Sequence, residues 1–147
     1  MIEKVTSQTV DDFIALARQM HEESTSKDLE FCEQTLKTLI ARPETFCVLA
    51  KKDGIVVGGM LGFITQHYFS EDKKAVESGL YVKPEHRNGM TGTRLIKTFE
   101  SWAKENGAKH IWIGYSTGIG DIDRMKDYYS ALGYNYEGFF CRKKLNV

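Results

Sequence analysis

Val82-Lys83-Pro84-Glu85-His86-Arg87-Asn88-Gly89-Met90-Thr91-Gly92-Thr93-Arg94-Leu95-Ile96 carries the chain from an apolar strand, through a proline-stopped turn, into a glycine-punctuated segment that opens a helix. Pro84 cannot donate to a sheet ladder and biases Lys83 toward extended geometry, so the strand ending in Leu80-Tyr81-Val82 stops there. From Thr93 onward Leu95, Ile96, Phe99, Trp102 and Ala103 recur at helical spacing, which predicts an amphipathic helix over 92–106 closed by Asn106-Gly107. The first turn of that helix carries no Asp or Glu. A helix start ordinarily draws acids to its unpaired N–H groups and positive dipole end; a start without them, with Arg87 just upstream, suits an external anion.

Upstream, 1–6 alternates apolar and polar residues as a half-buried strand does. Thr9 then reads as an N-cap, with Asp11 and Asp12 in the first turn and Phe13, Leu16, Ala17 and Met20 on one face of a helix of about three turns. After a polar loop, Phe31, Leu36, Leu39 and Ile40 predict a second helix that stops near Pro43. Segments 46–50 and 55–64 flank an Asp53-Gly54 turn as a hairpin, and 74–82 is the next strand of the meander. Downstream, the 92–106 helix is a crossover, so the strand 111–113 runs parallel to 74–82. A glycine-rich loop over 116–120 leads to a helix through Leu132, stopped by Gly133, and 134–137 and 139–145 are predicted as closing strands. The order is βααβββαβαββ, an α/β domain on a mixed sheet.

The bulk properties narrow the function. The chain of 147 residues fits a single domain, 1–147, with a sizeable core. Lys plus Arg and Asp plus Glu both number 20, so total charge argues for neither a nucleic-acid nor a membrane-surface partner. Cys32, Cys47 and Cys141 are odd in number and unrelated in spacing, which speaks against a disulfide framework or zinc site and for a reducing compartment. The most apolar run, 56–64, is too short to span a bilayer and is broken by Gly58, Gly59 and Gly62; with no signal-peptide pattern, a cytoplasmic protein is expected. His67, His86 and His110 lack ligand spacing, so no metal is assigned. The loop 89–92 lacks the Gly-Lys-Ser/Thr of a P-loop, and no G-x-G-x-x-G follows an early strand.

Two motifs give the order a specific resemblance. Arg87-Asn88-Gly89-Met90-Thr91-Gly92 follows Tyr81-Val82-Lys83-Pro84, and Tyr129 stands four residues before the Gly133-Tyr134 pair at the end of the last helix. In both, and in the element order, the chain resembles the GNAT superfamily of acetyl-CoA-dependent N-acetyltransferases, whose loop fingerprint is [RQ]-x-x-G-x-[GA]. It departs from the family in having Met90 at the first fingerprint glycine, with Gly89 one place earlier, and a longer loop before the last helix. Were positive φ required at position 90, Met would cost about 1–2 kcal/mol and weaken cofactor binding about tenfold.

The resemblance implies a mostly antiparallel mixed sheet with a central, splayed parallel strand pair flanked by helices. The implied reaction moves the acetyl group of acetyl-CoA to a primary amine by direct attack in a ternary complex. Backbone N–H groups of Asn88, Gly89, Met90, Thr91, Gly92 and Thr93, with Arg87 nearby, would hold the coenzyme A pyrophosphate. The main chain of Leu80 and Val82 would bind the pantetheine arm, with the Val82 N–H facing the thioester oxygen. Tyr129 is the candidate acid for the departing thiolate, because a phenol with a pKa of about 10 stays protonated beside a thiol of about 8.5; its plain alternative is a core aromatic. Glu77, read as alternating with Gly79 and Tyr81 on one strand face, is the candidate base or else a solvated edge charge. His21, Glu22 and Glu23, with Asp28, Glu30 and Glu33, gather at the first helix–helix loop, where the family builds its acceptor site; this acidity would favour a cationic amine, and a solvated helix surface is the plainer account.

Other functions fit the same sequence. A relative that binds acyl-CoA as a sensor, with Met90 marking eroded chemistry, has no need of Tyr129. A homodimer formed through the aromatic closing strands around Phe139 and Phe140 is a third reading. The identity of the acceptor is not written in these residues, since variable loops set it on a shared scaffold.

Overall fold

Strand pairing starts from the Asp53-Gly54 turn, where both residues take positive φ (52° and 77°), the geometry that lets a two-residue hairpin match the twist of its strands. It joins β2 (Thr45–Lys52) to β3 (Ile55–Gln66), and β3 turns back into β4 (Lys73–Val82). With β1 (Ile2–Lys4) and β5 (Ala108–Trp112) they make a five-stranded sheet of order β1-β2-β3-β4-β5, antiparallel except for the β4–β5 pair. The helices are α1 (Val10–Glu23), α2 (Glu33–Ile40), α3 (Thr91–Glu105) and α4 (Ile122–Ala131), with a short 3-10 turn at Pro84–His86. The structure, a computed structural model, describes residues 1–115 and 117–146; the expected loop over 116–120 begins at Ser116, outside the described residues. The chain divides into two compact units, Met1–Gly114 and Tyr115–Val147.

The first unit is built around glycines in β3. Neighbouring residues of a strand face opposite sides of the sheet, so Gly59 and Gly62 serve different helices. A Cβ on Gly59 would lie 2.8 Å from Leu16 Cδ2 of α1, and one on Gly62 would lie 2.5 Å from Phe99 Cε1 of α3. Small residues there let a helix settle against each face. On the α3 side Phe46, Val48, Ala50, Met60, Ala75, Leu95, Phe99 and Ala103 form the core. Phe99 stacks on Trp102 at 5.8 Å and meets Phe46 at 5.1 Å. On the other side α1 buries Phe13, Ile14 and Leu16. It runs 14 residues, a turn longer than its spacing suggests. Thr9 is its N-cap residue, but the hydroxyl turns backward to accept the Thr6 N–H at 2.9 Å instead of capping the helix.

Two expectations fail. The closing strands at 134–137 and 139–145 do not form: residues 132–146 carry no strand, and Phe139 and Phe140 are 84% and 64% exposed. A strand pair that buries little apolar surface cannot offset the entropy of ordering it, and Gly138 interrupts this one. The sheet therefore ends at β5, and the parallel pair lies at its edge and not at its centre. The second failure is at Glu77. Leu61 pairs with Gly79 but Gly62 pairs with Glu77, so Ser78 is an extra residue in β4. That bulge reverses the alternation, putting Glu77 on the α3 side and Gly79 and Tyr81 on the α1 side. All three cysteines are free; Cys47 is buried and its thiol is pushed up to about 12 by desolvation. Among the described residues no helix is long and apolar enough to cross a membrane.

Candidate active site

β4 and β5 run together only where Lys73–Val76 faces Ala108–Trp112. Past Val76 the two strands part, and 77–82 keeps a partner on the β3 side alone. Lys83 donates its N–H to the Val57 carbonyl of β3 at 2.9 Å. Main-chain groups alternate sides along a strand, so Tyr81 also turns toward β3 while Leu80 and Val82 turn theirs into the opening. These are the two residues expected to bind through backbone, and the register leaves both without a strand partner on that side.

Glu77 marks the point where the opening begins. Its carboxylate accepts the Gly114 N–H at 3.3 Å, just beyond the end of β5. Desolvation pushes this carboxyl from 4.5 up to about 7, opposed only by that one hydrogen bond. The side chain keeps some solvent contact, which suits a group that exchanges protons near neutrality. Because folded Glu77 holds its proton more tightly than the unfolded chain does, its contribution to stability is complete below about pH 4.5 and is lost as pH rises through 7. Glu77→Gln is therefore expected to raise stability by about 2 kcal/mol at pH 8 and to leave it nearly unchanged at pH 4. Thermal unfolding at both pH values checks this.

The loop from Arg87 to Thr93 leads directly into α3. Met90 is the N-cap residue, with φ −95° and no side-chain cap, and no acid sits in the first turn. The only non-glycine residue with positive φ among those described is Asp53, so position 90 imposes no backbone strain and Met is accommodated there. The initial N–H groups of α3 come from Thr91, Gly92 and Thr93. Met90, Thr93 and Arg94 also border a shallow depression of about 530 Å³, whose other wall includes Ile2 and Lys97. An uncapped helix start beside two cationic side chains fits a diphosphate.

Arg87 does not point freely toward that loop. Its Nη1 and Nη2 grip the Glu23 carboxylate at 2.7 and 2.8 Å, and its Nε donates to the Val82 carbonyl at 2.8 Å. Tyr81, buried beneath, donates its hydroxyl to the same carboxylate at 2.5 Å. The hydrogen bond from Arg87 holds the Glu23 carboxyl below its usual range, while burial and the neighbouring Glu23 push the Tyr81 phenol up to about 12. The end of α1 is thus bonded to the end of β4.

The other expected residues disperse. His21 Nε2 lies 2.6 Å from the Leu29 carbonyl and its ring packs on Phe31, bracing the loop after α1. Glu22 is exposed. Glu33 pairs with Arg18 and Lys37, both at 3.2 Å. Tyr129 belongs to the second unit, on α4, where its ring neighbours Tyr128 and Tyr134 and its carbonyl accepts the Tyr134 N–H at 3.0 Å. Gly133 takes φ +94° just past the helix, the C-terminal geometry its position implies. Sequence reasoning passed over Tyr81 as a site residue; its partner Glu23 lies 58 positions away. Among the described residues no group of three or more His, Cys, Asp or Glu side chains is gathered as a metal ion would need.

The sheet thus carries a parallel pair that parts after Val76, followed by a crossover helix with an uncapped start. The model of the acetyltransferase (GNAT) family matches residues 9–134, and the chain belongs to that family. No curated protein matches the sequence. Among solved structures, an aminoglycoside acetyltransferase from an uncultured soil metagenomic sample is similar with a TM-score of 0.79 at 19% identity, covering 99% of this chain and 98% of that one. The aminoglycoside antibiotic 6'-N-acetyltransferase AAC(6')-Ih from Acinetobacter baumannii gives 0.76 at 20% identity, over 100% and 98% of the two chains. AAC(6')-Iy, in complex with the bisubstrate analog CoA-S-monomethyl-acetylneamine, gives 0.77 at 16% identity, over 99% and 98%.

Proposed function

We propose that this protein transfers the acetyl group of acetyl-CoA to a primary amine. The observation that carries the reading is the parting of β4 from β5 after Val76, which leaves the main chain of Leu80 and Val82 without a strand partner on that side. A pantetheine arm has amides that match such groups, and the start of α3 would take the diphosphate. The family model, over residues 9–134, reaches from the first compact unit into the second, which supports reading 1–147 as one N-acetyltransferase domain.

Bound acetyl-CoA supplies an activated thioester. The amine nitrogen bonds to the acetyl carbon as the carbon–sulfur bond breaks, and the Val82 N–H stabilises charge on the carbonyl oxygen; the proton for the leaving sulfur is the role that the family offset from Gly133 gives the Tyr129 hydroxyl. The proton shed by the amine, taken up by Glu77 through water, balances the one Tyr129 gives. Several similar structures are named as aminoglycoside acetyltransferases, one of them in complex with sisomicin, so polyamine sugars head the acceptor panel.

Calorimetric titration with acetyl-CoA, followed by thiol release across an amine panel, tests the reading. Tight cofactor binding with no thiol from any amine would replace it with the acyl-CoA sensor. A sharper test uses the helix start. Met90→Asp places an N-cap acceptor on the N–H groups assigned to the diphosphate, so stability is expected to rise by about 1 kcal/mol while cofactor affinity falls about tenfold. Equal affinity in this variant would show that the phosphates lie elsewhere.

A further inference from the structure

Arg87 and Glu23 were expected to serve different ligands, the cofactor and the acceptor, yet in this structure they serve each other. Resting on the function proposed above, we propose that Arg87 is an exchangeable counter-ion, which leaves Glu23 for the coenzyme A diphosphate and thereby frees the Glu23 carboxylate to bind the acceptor's ammonium group.

Three features of the contact support an exchange. First, the pair is only partly buried, with side-chain exposures of 32% for Arg87 and 31% for Glu23, so water can solvate both ions while they separate. Second, Arg87 lies in the connection between β4 and α3, three residues before the N-cap of α3, on the same segment as the N–H groups assigned to the diphosphate. The Nη1–Nη2 edge that holds Glu23 cannot hold a second anion in the same way, and a diphosphate beside a helix N-terminus is the stronger competitor for it than one carboxylate. Third, Glu23 does not depend on Arg87 for its position. Tyr81 is 5% exposed, and its hydroxyl bonds to Glu23 Oε2, so the carboxylate stays in place when the cation departs. The same movement withdraws Nε from the Val82 carbonyl, one of the main-chain groups assigned to the pantetheine arm.

The consequence is a coupling between the two ligands. Cofactor binding would create the anionic acceptor subsite, and by linkage a bound amine would tighten the cofactor by the same factor. Glu23 would then select cationic acceptors only once the acetyl donor is present.

Calorimetry with coenzyme A distinguishes exchange from a simple field effect. Glu23→Gln keeps the shape and the Tyr81 hydrogen bond but releases Arg87, and is expected to bind coenzyme A about three- to tenfold more tightly than wild type. Glu85→Gln removes a carboxylate two residues from Arg87 that does not pair with it, and should change affinity less than twofold. In an Arg87→Ala background the Glu23→Gln gain should vanish, and pantetheine, which lacks the diphosphate, should bind wild type and Glu23→Gln alike. With a reacting amine, Glu23→Gln should raise the amine KM at least tenfold with kcat little changed. Unchanged or weaker coenzyme A binding in Glu23→Gln, or a gain that persists without Arg87 or appears equally in Glu85→Gln, overturns the exchange while leaving the acetyltransferase reading intact. Absence of coenzyme A binding by wild type removes that reading, and the exchange with it.

Discussion

Thiol release by Tyr129→Phe is expected to fall about a hundredfold, with affinity for acetyl-CoA unchanged. Phenylalanine preserves the ring and its packing beside Tyr128 and Tyr134 and deletes only the hydroxyl, so a loss confined to turnover isolates proton donation. A hydroxyl that stays protonated at neutral pH can give its proton to the sulfur as charge develops there in the transition state, and solvent then restores the phenol. Tyr128→Phe, one position earlier, is the control and should retain turnover within about twofold, because the family offset from Gly133 falls on Tyr129. Single-turnover measurements with a thiol reagent separate this chemical step from product release. A Tyr129→Phe variant with full turnover would reduce the residue to a packing aromatic and leave water as the acid.

The passage from β4 into α3 was legible because its signals are local: Pro84 ends the strand, and the apolar spacing from Leu95 to Ala103 sets the helix. The bulge at Ser78 was not. An inserted residue between polar Glu77 and Gly79 leaves the side-chain pattern looking like unbroken alternation, and only the cross-strand register reveals that Glu77 has moved to the α3 side. The contact between Glu23 and Arg87 was hidden for another reason. Each charge reads toward a ligand of its own, the cofactor for Arg87 and the acceptor for Glu23, and 64 positions separate them. Tyr81 was hidden in the same way, since its hydroxyl matters only because α1 ends above it. The closing segment shows the opposite error, for Tyr136, Phe139 and Phe140 have strand propensity, which without a partner strand and a buried face forms no ladder. Met90 looked costly only while its backbone geometry was unknown; at φ −95° it is an ordinary helix-opening residue.

Gly62→Ala should be among the most destabilising single-methyl changes in the chain, at about 3 kcal/mol, or roughly 10 °C in Tm for a domain of this size. The added carbon would sit 2.5 Å from Phe99 Cε1, 2.9 Å from its Cζ and 2.9 Å from the Val76 carbonyl oxygen. None of the three can yield easily. Phe99 is fully buried between Phe46 and Trp102, and the Val76 carbonyl belongs to the β4 backbone. Gly79→Ala provides the contrast, since its nearest neighbour is the flexible end of Met20 at 3.4 Å, an ordinary contact. Its cost should stay below about 1 kcal/mol. If the Phe99 ring is the main obstacle, Gly62→Ala in a Phe99→Leu background should cost about half as much as alone, a coupling readable from a double-mutant cycle by chemical denaturation. Full additivity would place the clash on the Val76 carbonyl instead. The effect extends to the site because Phe99 anchors α3 to the sheet. A methyl that lifts the ring also lifts the helix whose first turn follows Met90, so Gly62→Ala protein that remains folded should bind coenzyme A more weakly than wild type.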